Sequence, residues 1–70
     1  MMPLALADEK QEYIVMKVGG SAAQKQHLAD LGFVAGAKVM PISHVSGSVI
    51  VNIKDTRVAI GKDLAMKIYI

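Results

Sequence analysis

Seventy residues allow one domain, and a chain this short buries only about 60% of the surface its unfolded form exposes, so its core must be thin. The absence of cysteine excludes disulfides, thiol nucleophiles and Cys-type zinc sites, and it fits a reducing, cytoplasmic setting. The formal charge of +2 is carried by basic residues scattered from Lys10 to Lys67, with three aromatic residues in all; that is neither the patch nor the stacking surface nucleic acid requires, so no nucleic-acid partner is expected.

The first apolar run, Met1 to Ala7, is broken by Pro3 and stopped by Asp8 and Glu9. It lacks a basic flank and is far shorter than the roughly 18 residues of a membrane span. Any membrane association is therefore expected through a partner.

"YIVMKV", residues 13 to 18, alternates with period two and predicts a strand with Ile14, Met16 and Val18 facing inward. "GGS" follows. Ser21 with Gln24 three residues on is a capping box, so a short helix should run from Ala22 to Leu31, with Leu28 and Leu31 on one face. Gly32 stands where a helix end favours a left-handed residue, and Phe33 should fold back onto the last turn. Ala35-Gly36 reads as a type II turn, with Gly36 supplying the positive φ.

"AKVMPI", 37 to 42, is the next predicted strand, with Pro41 placing it at a sheet edge or near its end. "HVSGS", 44 to 48, reads as a loop around Gly47. "SVIVNIK", 48 to 54, turns Val49, Val51 and Ile53 inward. "KDT" reverses the chain into "RVAI", with Val58 and Ile60 on one face, which makes a hairpin. "GKDLAMK" allows one helical turn. "KIYI" closes the chain with Ile68 and Ile70 alternating against Lys67 and Tyr69. About five short strands and one helix predict a small, mainly β, SH3-like or OB-like barrel spanning residues 1 to 70, because closure limits exposed edges. The expected core is Ile14, Met16, Val18, Val39, Val49, Val51, Ile53, Val58, Ile60 and Ile68.

Chemistry is sparse. There is no G-x-S-x-G, and Ser21, Ser43, Ser46 and Ser48 fall at cap or loop positions. "GK" at 61 to 62 is followed by Asp63, where a phosphate-binding loop needs Ser or Thr. No catalytic residue and no cofactor are expected. Weak ferrous-iron binding could use His27 and Asp30, three apart on the helix, and His44 in the loop, since iron accepts imidazole and carboxylate ligands. With three aromatic residues and no Trp, the aromatic-lined groove that grips proline-rich peptides is missing.

Laid out in order, these segments resemble the FeoA family, the small cytosolic component of bacterial ferrous iron uptake. The residues that carry the resemblance are "MPLALA" at 2 to 7, "IVMKVGG" at 14 to 20, "LADLGFVAGAKV" at 28 to 39 and "VIVNIKDTRVAIGKDLAMKI" at 49 to 68. The most specific is L-x-x-L-G-F-x-x-G, here Leu28, Leu31, Gly32, Phe33 and Gly36. Ala35 stands where many relatives have Pro, and "DEKQE" stands where many have a Gly before the first long strand.

The resemblance implies an SH3-like barrel with a helix after the first long strand. It also implies a non-enzymatic adaptor role at FeoB, the ferrous iron permease with a cytosolic GTPase domain. Similarity to the SH3-like domain of metal-dependent repressors supplies the alternative, a metal-binding regulatory module. For the adaptor, the helix and its following loop form the candidate contact surface, through Lys25, His27, Phe33 and Val34, with Phe33 equally a core candidate. Self-association through hydrophobic strand edges is also open to so small a barrel.

Overall fold

The computed structural model describes residues 1–70. After a 3-10 turn (Leu4–Leu6) come β1 (Tyr13–Ile14), β2 (Lys17–Val18), α1 (Ala22–Asp30), β3 (Lys38–Val45), β4 (Ser48–Ile53), β5 (Thr56–Gly61), α2 (Lys62–Ala65) and β6 (Ile68–Tyr69). The antiparallel order β1-β3-β4-β5 makes the larger sheet, and β2-β6 the smaller. Pro3 bridges Tyr69 on the other side of β6, and Met2 and Ile70 exchange two backbone hydrogen bonds of 2.9 Å. The two chain ends thus close the small sheet, and of the two barrels the patterns allow the whole is the SH3-like one that the resemblance implies.

The first predicted strand needs correction. It is divided between the two sheets, and its inward phase is shifted by one residue. Val15 is 1% exposed, whereas Ile14 and Met16, both expected in the core, are 42% and 59% exposed. A β-bulge is the cause. Met16 N–H donates to Tyr69 O at 2.7 Å, although Tyr69 is the register partner of Lys17. Two consecutive residues oppose one, so Met16 and Lys17 both face out and Val18 turns back towards the core. Lys17 Nζ then rests 5.2 Å from the centre of the Tyr69 ring, a cation–π contact.

The core contains Val39, Val49, Val51, Ile53, Ile60 and Ile68 as expected, with Val18 and Val58 half-buried against it. It also takes Val15, Leu28, Phe33, Ala65 and, from the N-terminal turn, Leu4, Ala5 and Ala7. No polar side chain is buried. The short apolar run at the N-terminus is thus part of the barrel wall, because it packs under α2 and β6.

Pro41 does not end its strand, but it falls beyond Lys38 and Val39, the two residues that β1 pairs, where β3 is locally an edge. β3 runs on to Val45 between β1 and β4, and its register to β4 shifts between Pro41 and Ser43. Proline is tolerated because β1 has already ended: on that side the Pro41 carbonyl accepts from Lys10 N–H at 2.7 Å, and no donor is asked of residue 41. The expected loop at 44 to 48 shrinks to Ser46-Gly47 between the paired residues Val45 and Ser48. At the next reversal Lys54 and Asp55 both adopt positive φ, 50° and 62°, the signature of a tight hairpin turn.

Candidate functional site

The corner between α1 and β3 is built by local rules. Ser21 Oγ accepts from Gln24 N–H at 3.1 Å, and Gln24 Oε1 accepts from Ser21 N–H at 2.9 Å, so the capping box is complete. At the other end Gly32 has φ 106°. Its N–H donates to Ala29 O at 2.9 Å, and Phe33 N–H donates to Leu28 O at 2.9 Å. These two bonds are the Schellman closure of a helix, and the accompanying apolar contact falls between Leu28 and Phe33, both in the core. Leu31 packs half-buried beside them.

The chain then turns again. Ala37 N–H donates to Val34 O at 3.0 Å, and Gly36 sits third in that turn with φ 91°. Val15 fastens the turn to the first strand: its N–H donates to Ala37 O at 2.9 Å, and its carbonyl accepts from Gly36 N–H at 2.8 Å. The corner is therefore fixed at both helix ends and stitched to the residue between Ile14 and Met16.

Of the sequence-derived contact residues, Lys25, His27 and Val34 are exposed and Phe33 is not. Phe33 serves the core, and the residue after it, Val34, is 43% exposed. Ile14 and Met16 join the exposed set, since the bulge turns them outward on the strand to which the corner is bonded. Sequence reasoning missed them because an unbroken period of two puts them inside. The two consecutive outward residues, Met16 and Lys17, carry no local signal.

The metal candidates are not gathered. His27 lies on the exposed side of α1, and Asp30 Oδ1 accepts from Gln26 Nε2 at 2.8 Å. His44 instead ties β3 to the N-terminal segment: its backbone N–H donates to Glu9 Oε2 at 2.8 Å and its ring Nε2 is 3.2 Å from Ala7 O. No three His, Cys, Asp or Glu side chains stand close enough together to hold a metal ion. The surface has two open clefts. One, of about 320 Å³, lies among Glu12, Lys38, Lys54 and Asp55; the other, of about 340 Å³, lies among Leu6, His44, Val45 and Lys62. No helix is long and apolar enough to cross a membrane.

Compared with known proteins, the chain matches the FeoA domain family model over residues 2–70. The chain belongs to the FeoA family. It is 40% identical over all 70 residues to "Putative Fe(2+) transport protein A" of Methanocaldococcus jannaschii, covering 85% of that protein. Among solved structures, a FeoA crystallised as an iron uptake regulatory protein superposes with a TM-score of 0.87 at 28% identity, over 96% of this chain and 89% of that one. The FeoA of Stenotrophomonas maltophilia, solved with zinc and described as a prokaryotic SH3 domain protein, gives 0.83 at 25% identity over 99% and 88% of the two chains. A manganese-dependent transcriptional repressor shares the fold alone, with a TM-score of 0.86 at 16% identity over 94% of this chain and 38% of that one.

Proposed function

We propose that this FeoA domain is a non-enzymatic cytoplasmic adaptor that acts by contact with the cytosolic part of a FeoB-type ferrous iron permease. The carrying observation is the exposed apolar set Ile14, Met16 and Val34 at a corner whose backbone is bonded at Val15, Gly36 and Ala37. Solvent-exposed apolar side chains on a fixed backbone lose little conformational entropy when a partner covers them. Lys25 and His27 are exposed on α1 and are polar candidates for the same contact. Calorimetric titration against the FeoB cytosolic domain and against the full permease tests the reading. Val34→Asp and Met16→Asp, which alter exposed side chains, should weaken binding while leaving the fold intact.

A second reading, a transition-metal-binding regulatory module, draws support from the zinc-bound relative and from the repressor that shares the fold. Anaerobic titration with ferrous iron, followed through the ring resonances of His27 and His44, decides it. Unchanged resonances at stoichiometric metal would remove this reading.

A further inference from the structure

The larger sheet ends on a strand with nothing beside it. β5 pairs with β4 over six consecutive positions without a bulge, from Ser48 opposite Gly61 to Ile53 opposite Thr56, and no strand lies on its other side. Lys62 N–H donates to Gly47 O at 3.0 Å, which sets the alternation of the antiparallel ladder. Stepping by two, Ile60, Val58 and Thr56 turn their N–H and C=O groups to β4. Arg57, Ala59 and Gly61 turn theirs away, and all three residues are exposed. Among the backbone hydrogen bonds made outside the helices and strands, none involves Arg57, Ala59 or Gly61.

Proteins guard such edges with proline, bulges, shortness or inward-pointing charge. At the opposite end of the sheet β1 is guarded by shortness, with two residues. β5 has six residues, no proline and one charge, Arg57. Its sequence also suits pairing with itself. A two-fold axis through Ala59 sets Ala59 against Ala59 of a second copy, Arg57 against Gly61, and Val58 against Ile60. That register engages all three outward-facing residues, brings no like charges opposite each other, and places the smallest side chains at the axis.

We infer that β5 is a homodimer edge, at which two copies join their larger sheets into one continuous antiparallel sheet. The occupant is a second copy of this chain, because this register satisfies both edges at once and opposes no charges.

Sedimentation velocity from micromolar to millimolar protein, with amide hydrogen exchange on the same samples, tests the inference. The expected result is a concentration-dependent dimer in which the Arg57 and Ala59 amides gain protection, while those of Val58 and Ile60 stay protected throughout. Ala59→Pro deletes only an N–H that faces away from β4 and should abolish the dimer. Ala59→Lys keeps the donor but opposes two like charges on the axis; it should weaken the dimer several-fold at low salt, with partial recovery at high salt. A monomer at every concentration, which would leave the edge to another chain or to none, overturns the inference. So does a dimer in which the Arg57 and Ala59 amides exchange freely, or one untouched by both variants.

Discussion

Gly32 offers the sharpest test of the corner. Its φ of 106° lies where side chains are rarely tolerated, and a Cβ there would sit 3.3 Å from Ile53 Cδ1 and 3.6 Å from Ile53 Cγ1. Ile53 is itself in the core and has little room to retreat. For Gly32→Ala the backbone cost is about 1–2 kcal/mol, and the close approach to Ile53 adds to it. Gly32→Val adds β-branching and should reach the upper end of strained positions, about 3 kcal/mol. A domain of this size has a total stability of roughly 4–10 kcal/mol, so the valine variant should lose a large part of it. In thermal denaturation followed by circular dichroism, each kcal/mol corresponds to about 4–8 °C.

Two other glycines separate the contributions. Gly36 has φ 91° but no atom within 4 Å of its would-be Cβ, so Gly36→Ala carries the backbone term alone. Gly61 has φ −62° and open space around it, so Gly61→Ala should stay within about 0.5 kcal/mol of the parent. The expected order of loss is Gly32→Ala, then Gly36→Ala, then Gly61→Ala. A Gly32→Val protein that melts with the parent, or a reversal of that order, would refute the account of the corner.

Three further outcomes follow from the same geometry. Val15→Ala should cost about 2 kcal/mol as a core truncation, and Ile14→Ala less than half of that; urea denaturation of the two variants reads the phase of the bulge directly. Ser21→Ala removes the acceptor of the 3.1 Å capping bond and should cost about 1 kcal/mol by the same assay. Asp55→Gly relieves a positive φ of 62° in the hairpin turn and should raise stability by about 0.5–1 kcal/mol, seen as a higher melting temperature.

What the sequence revealed divides along physical lines. The capping box at Ser21, the glycine closure at Gly32 and the turn at Gly36 are local, each specified by residues within a few positions, and each is found as read. β4 alternates cleanly because one face meets the core and the other does not, and no bulge interrupts its pairing with β5, so Val49, Val51 and Ile53 were legible as core. The β1–β2 segment was not, because its bulge forms against Tyr69, more than fifty residues away, and that partner sets the phase of Ile14, Val15 and Met16. Pro41 was read as marking an edge or a strand end; the strand runs on, and the edge holds locally because no neighbour asks for the missing N–H. His44 was read as a loop residue, whereas its contacts with Glu9 and Ala7 depend on a long-range return of the N-terminal segment. The exposed apolar set at the corner came partly into view through Val34. Its other members, Ile14 and Met16, appear only once the strand phase is known.

The central claim is contact with a ferrous iron permease. The most direct measurement is a calorimetric titration of the folded chain into the FeoB cytosolic domain and into the full permease in detergent. The account predicts saturable binding to at least one of them, weakened by Val34→Asp and by Met16→Asp in proteins that melt like the parent. Absence of binding to both by the folded chain, or binding indifferent to both substitutions, would contradict it.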